Sequence, residues 1–239
     1  MILLKKKTLK DLFNPFISLF HFIFEAKFTI TIIIMNIILF FISFIFLSEN
    51  QFMSFVNYPS DLINLRLHTL IISGFLHANL AHLLGNVLGI FIFGRVVERK
   101  LGIKKTALIY FGALIISGIF SSLIHLFITQ NDIGGIGASG ALMGLISTAI
   151  LLDPFYFTYE LIIPLPIMIV GWLLIFADII GVLNPMETGI GHLAHIGGFI
   201  SIGILLYLFG KEDKNKIKKG FYINLFSIFL ALILFFIFI

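Results

Sequence analysis

The chain of 239 residues contains no cysteine, which excludes disulfides and cysteine-ligated metal centres. Charge is scarce as well. Lys, Arg, Asp and Glu together make up 12% of the residues, against about 25% in an ordinary soluble domain. A chain so short of charge cannot clothe a water-facing surface. What it has instead is apolar: 59% of its residues are hydrophobic and 29 are phenylalanine. That composition describes an integral membrane protein whose length fits one compact domain. The formal net charge of +4 does not point to a nucleic-acid partner, because the positive residues are distributed as a membrane topology distributes them. No low-complexity linker and no internal repeat is present. The basic start, "LKKKTLKDLF", lacks the apolar core and small-residue cleavage site of a signal peptide and reads as mature sequence.

A bilayer core about 30 Å thick takes roughly 20 apolar residues per helix. Seven runs are candidates, at about 28–48, 78–97, 103–128, 138–153, 160–183, 190–209 and 221–239. Residues 11–27 mix phenylalanines with a few polar groups and read as an interfacial amphipathic segment. Five basic residues lie in the N-terminal tail (Lys5, Lys6, Lys7, Lys10, Lys27). Five more follow the second span (Arg95, Arg99, Lys100, Lys104, Lys105), and five follow the sixth (Lys211, Lys214, Lys216, Lys218, Lys219). Of the 16 basic residues only Arg66 falls on the opposite side. The alternation predicts a cytoplasmic N-terminus and places the loops after spans one, three and five outside. The fold class expected is an all-α polytopic membrane protein. It divides into a basic N-terminal segment (1–27), a six-helix core (28–210) and a basic loop with an appended seventh span (211–239).

The fourth span is short. From Ser139 to Asp153 a helix at 1.5 Å per residue covers about 22 Å, several ångströms less than the bilayer core. Its inner end is marked by Asp153-Pro154, so the missing length lies at the outer end. The stretch "IGGIGASGALMG" therefore dips into the membrane, where non-helical backbone survives only against protein or a water-filled cavity. Ser139 then sits on the order of 10 Å below the outer surface, a good place for a nucleophile. Taken alone, G-x-S-G is weak evidence of catalysis, since small residues such as Gly140 and Gly144 also mediate close helix packing.

A nucleophile needs a base. His77, His82, His125, His192 and His195 lie in or beside predicted spans near their outer ends, and ionisable groups at membrane depth are costly enough to suggest function. In "GHLAHIGGF", His195 falls roughly 7 Å down the sixth span, close to the depth of Ser139. Gly197 and Gly198 permit a neighbouring helix to approach, and the glycine-rich start of the fourth span is the natural neighbour. In "FLHANLAHLLGN", His82 and Asn86 share one helix face at i, i+4. Both can donate a hydrogen bond to a developing oxyanion. They also fit a polar packing network between helices, worth about 1 kcal/mol per bond or less.

"HANLAHLLGN", "GASG" and "AHIGG" together resemble the rhomboid intramembrane serine proteases, over roughly residues 28–209 and in the family's order. The resemblance implies Ser139 as nucleophile and His195 as base. It implies an oxyanion site of His82, Asn86 and the Ser139 backbone N–H. Gly137, Gly140, Gly198, Arg66 and His77 take structural roles, with Arg66 and Thr69 matching the family's Trp-Arg loop motif. It further implies a partly submerged loop at about 49–76, single-span membrane proteins taken from the lipid bilayer as substrates, and no cofactor or metal. Three positions depart from the pattern. Leu65 stands where the family has Trp, Met143 where it often has Tyr or Phe against the histidine ring, and Ile202 where a glycine is usual, with Gly203 one residue late.

Other roles stay open. Arg66 fits either a lipid phosphate or a structural loop. His192 competes as base but lacks the following Gly-Gly pair, and His21, His68 and His125 read as surface or interface residues. Asp178 is the one acid inside a predicted span, at about the depth of His195. It is left out of the catalytic set because the family works with a Ser–His dyad. Two other functions compete: a catalytically inactive rhomboid-like protein that binds membrane clients, and a metal or haem transporter built on His77, His82, His192 and His195. The first is expected to lack Ser or His, and the second leaves Ser139 unexplained.

Overall fold

The computed structural model describes residues 25–161, 163–184 and 191–238. Most of the N-terminal segment expected at 11–27, His21 included, lies outside them. Among the described residues the fold is all-helical, with two isolated bridges and no sheet. Helix α1 spans Lys27–Phe46. Three short helices follow: α2 (Glu49–Phe55), α3 (Ser60–Ile63) and α4 (Thr69–Ile72). The longer helices are α5 (Leu80–Leu101), α6 (Ile103–Thr129), α7 (Ser139–Leu152), α8 (Ile167–Leu183), α9 (His192–Leu208) and α10 (Lys211–Phe238). Helices α1, α5, α6 and α10 are long and apolar enough to cross a membrane, whereas α7, α8 and α9 are shorter apolar helices.

Helix α7 is the centre of the bundle. Nearly every residue from Gly140 to Ile150 is buried, as expected for a helix that is apolar on all faces. It packs against α5, α6, α8, α9 and α10. Its central place follows from its small residues. A Cβ added at Gly144 would collide with Ala113 of α6, and one at Gly140 would collide with Ser117 of α6. The outer surface of the bundle is also apolar, with Phe44, Ile45, Leu173 and Phe229 exposed. Here the bilayer rather than water is the solvent.

Two helix starts differ from the sequence reading. The span expected from 160 begins at Ile167, because Pro164 and Pro166 hold the preceding residues out of the helical region. The span expected from 221 begins ten residues earlier, at Lys211. Its charged first turns are helical, with Glu212 and Asp213 at the positive end of the helix dipole and Glu212 paired to Lys216. Helix α10 is docked onto the core. Gly220 lets it approach the Leu151 carbonyl of α7, and Asn224 donates to the Ile150 carbonyl at 2.8 Å while accepting from Trp172 Nε1 of α8 at 2.9 Å.

Candidate active site

Residues 132–137, which precede α7, lie outside the helices, and their backbone groups need partners elsewhere. The loop between α1 and α5 supplies partners. Asn57 and Gly135 exchange backbone hydrogen bonds at 3.2 and 2.8 Å, and Gly137 N–H donates to the Ser73 carbonyl at 2.9 Å. That loop is itself braced. Arg66 pairs with Asp61 at 3.0 Å and donates to the Ser54 carbonyl. Thr69 is fully buried, with its hydroxyl 2.8 Å from the Arg66 carbonyl and 3.2 Å from Asn57 Oδ1, either of which can accept its proton. Leu65, at the departing position, adopts a left-handed φ of 58°, which is strained for a residue with a side chain.

Two glycines fix the approach of the chain to Ser139. Gly137 has φ of 110°, which disfavours any side chain, and an added Cβ would lie 2.6 Å from His82 Nε2 and 3.5 Å from Asn86 Nδ2. The turn before Ser139 thus lies directly on the side chains of His82 and Asn86. Gly198 of α9 has no room for a Cβ either, because the Gly140 carbonyl of α7 occupies that space. Helices α7 and α9 touch backbone to backbone one residue after Ser139 and one turn after His195. The contact continues where Gly144 meets Ser201 Oγ and the Gly198 carbonyl. Gly203 meets nothing within 4 Å, and Ile202, at the departing position, is buried in the core. Met143 is buried beside Gly198 in the same seam.

The hydrogen bonds determine which atoms are available. Ala78 N–H donates to His82 Nδ1 at 3.4 Å. In the neutral ring the proton then resides on Nε2, the atom facing Gly137. Asn86 is 4% exposed and its Nδ2 has no hydrogen-bond partner among the described residues. Two donors therefore converge on the turn at Gly137. Ser139 is half-buried and opens α7. The first N–H groups of a helix have no intrahelical acceptor and stabilise negative charge. His77 packs its ring edge-on against His82, with centroids 5.0 Å apart, and against Phe40.

His195 Nδ1 lies 2.7 Å from Asp178 Oδ1, and His192 Nδ1 lies 2.8 Å from the same oxygen. Asp178 is 6% exposed. The carboxylate accepts, so Nδ1 of His195 carries the proton and Nε2 is left with a lone pair. Sequence reasoning left Asp178 outside the set. Its available signals were that it is an acid within a span and that it lies at the depth of His195. The histidines grouped in the transporter reading fall into two pairs, His77 with His82 and His192 with His195. Among the described residues only the second pair joins a cluster that a metal ion could use, with Asp178. His125 is bonded to Thr129 at the end of α6.

The sequence from 64 to 212 matches the family model of the rhomboid domain. The chain belongs to the rhomboid family. It is 29% identical over 167 residues to the RHOMBOID-like protein 12, mitochondrial, of Arabidopsis thaliana, a match covering 64% of this chain and 48% of that protein. It is 28% identical over 207 residues to the rhomboid protease AarA of Providencia stuartii, covering 74% of this chain and 70% of the relative. To the rhomboid protease GlpG of Photorhabdus laumondii it is 27% identical over 188 residues, covering 79% and 63%. The chain thus spans about half the length of the plant relative. As a rhomboid it is an integral membrane protein of all-helical, polytopic fold.

Proposed function

We propose that this rhomboid is an intramembrane serine endopeptidase that hydrolyses peptide bonds in or near the transmembrane segments of other membrane proteins. Single-span proteins entering from the bilayer between α5 and α8 are the substrates. The N-terminus faces the cytoplasm and the site opens to the outer side of the cell membrane, following the distribution of Lys and Arg.

The Ser139 hydroxyl attacks the scissile carbonyl carbon while His195 Nε2 takes its proton. Asp178 holds the other ring nitrogen and stabilises the imidazolium that forms. The negative charge moves to the carbonyl oxygen, which accepts from Asn86 Nδ2, His82 Nε2 and the Ser139 backbone N–H. His195 then gives its proton to the departing amine, and the C–N bond breaks. Water, deprotonated by His195, attacks the acyl-serine ester. The serine leaves with that proton, and a carboxylic acid is released. No cofactor takes part in these steps.

The observation that carries this reading is the glycine contact between Gly140 and Gly198, which sets the helix of the serine against the helix of the histidine. A fluorophosphonate probe tests it, because such probes label only an activated serine. Wild-type protein is expected to be labelled and to cleave a single-span test substrate. Ser139→Ala and His195→Ala are expected to lose both, with expression intact. Labelling that persists in Ser139→Ala would overturn the assignment. A folded wild type that neither labels nor cleaves would favour an inactive, client-binding rhomboid.

A further inference from the structure

We propose that Asp178, His192 and His195 form a binding site for a divalent transition-metal ion of the zinc or cobalt type, whose occupancy switches off the protease. The inhibitory part rests on the catalytic reading above; the site itself does not.

The geometry is specific. The two Nδ1 atoms lie 2.7 and 2.8 Å from one carboxylate oxygen, and all three ligand atoms fall within 4.8 Å of one another. Imidazole nitrogen with carboxylate oxygen is a donor set that suits zinc, cobalt and their neighbours. A tetrahedral ion with bonds of about 2.0–2.1 Å holds its donors roughly 3.3 Å apart. Side-chain motions on the order of 1 Å therefore convert the hydrogen-bonded cluster into three ligands, and water takes the fourth position.

The fold builds this cluster rather than leaving it to chance. Gly181 lies one turn beyond Asp178 on α8, and a Cβ there would run into the His192 ring. The missing side chain is what lets His192 lie against α8 and reach the carboxylate. On α9, His192 and His195 are three residues apart and so are surface neighbours on the helix. The proposed dyad has no use for His192, yet the structure gives it the same partner as His195.

Inhibition follows from the tautomer. In the metal-free cluster both Nδ1 atoms carry protons and the carboxylate is ionised. A neutral imidazole that ligates through Nδ1 carries its proton on Nε2 instead. The Nδ1 protons pass to solvent, Nε2 of each ring takes one from solvent, and no net proton is released. Nε2 of His195 is the atom proposed to accept the Ser139 proton. With the ion bound it is a donor and can no longer act as base, although Ser139 and the oxyanion donors are untouched.

The test uses tag-free, chelator-stripped protein in detergent. Cobalt(II) titrated into the wild type is expected to give visible d–d absorption saturating at one ion per chain. Ser139→Ala should retain the absorption, while His192→Ala, His192→Gln and Asp178→Ala should lose it, each checked for folding by thermal unfolding. In parallel, zinc should abolish fluorophosphonate labelling of the wild type and a chelator should restore it. In His192→Gln the zinc concentration needed should rise by about tenfold or more, since even outer-shell partners of a metal are worth 10- to 100-fold in affinity. Absent cobalt absorption in the wild type, or absorption unchanged in folded His192→Gln, overturns the site. Cobalt binding with labelling indifferent to zinc overturns the inhibition. Cobalt binding in a protein that never labels, with or without chelator, supports the site and counts against the catalytic reading alone.

Discussion

Replacing Asp178 by Asn tests the least familiar part of the proposed mechanism. The change is nearly isosteric. It removes the negative charge from a side chain that is 9% exposed, next to a His195 side chain that is 18% exposed. Two losses follow. A hydrogen bond to a charged group contributes about 1.5–3 kcal/mol and one between neutral groups about 0.5–1.5, so roughly 1–1.5 kcal/mol of support for His195 disappears. At 1.36 kcal/mol per decade that loss alone is about tenfold in rate. The imidazolium formed during attack also loses its counter-charge. Unit charges about 4 Å apart at an effective dielectric of 20 interact by roughly 4 kcal/mol, which sets the upper limit. Sharing of the carboxylate with His192 keeps the effect below that limit. An Asn that turns its amide nitrogen toward Nδ1 would add a further loss by forcing the wrong tautomer.

The expected result is a fall in kcat between about tenfold and a few hundredfold, with KM little changed because Asp178 touches His195 rather than substrate. The assay is cleavage of a single-span substrate in proteoliposomes, with kcat and KM determined separately and thermal unfolding followed in parallel. A merely structural acid would lower stability or raise KM without selecting kcat. A kcat within twofold of wild type in a folded Asp178→Asn protein would refute the argument and leave Ser139 and His195 as an unassisted dyad.

Asn86→Ala should lower kcat more than it changes KM, by up to about 100-fold, since losing one oxyanion donor costs about 100- to 1,000-fold and here others share the load; an effect confined to KM would count against the role. His195→Ala should cost far more fluorophosphonate labelling than His192→Ala, and the reverse order would show that the wrong histidine is assigned as base. Gly198→Val should push α7 and α9 apart, destabilising the protein by at least about 1–3 kcal/mol as overpacked seams do, which a lowered unfolding temperature in detergent would reveal. Asn224→Ala should leave the Ile150 carbonyl and Trp172 Nε1 without their partner and cost about 1–3 kcal/mol; unchanged thermal stability would show that α10 does not brace the core.

The legible part of the fold was what composition and period dictate. Long apolar runs give helices in lipid because no other open backbone survives there, and the short span at Ser139 was readable from its length. Boundaries were less legible where charge and proline act locally. The segment from Lys211 looked like a loop because it is charged, yet its acids sit where a helix start favours them. Residues from 160 looked like a span because they are apolar, yet two prolines delay the helix. At the candidate site, the glycines announced close contacts but not their partners. Gly198 could be read as a contact residue from "HIGG", whereas the contact of Ser201 with Gly144 could not, because a serine hydroxyl bonded back to its own helix, as Ser201 is to the Gly198 carbonyl, gives no periodic signal.

Asp178 shows where a single sequence stops. Its depth could be counted from the end of the helix, but its direction could not. Rotation about the helix axis is set by packing, and Gly181 is one place where α8 meets α9 closely. The absent side chain makes room for His192, which then meets the same carboxylate oxygen as His195. Asp178 thus joins His192 and His195 through one oxygen, by two separate hydrogen bonds. A side chain at Gly181 should displace His192 from the carboxylate while leaving the bond between Asp178 and His195 in place. The same coupling explains how an acid can be kept inside a membrane bundle: two imidazole N–H groups satisfy one carboxylate oxygen in a place where an unpaired charge would be prohibitively costly.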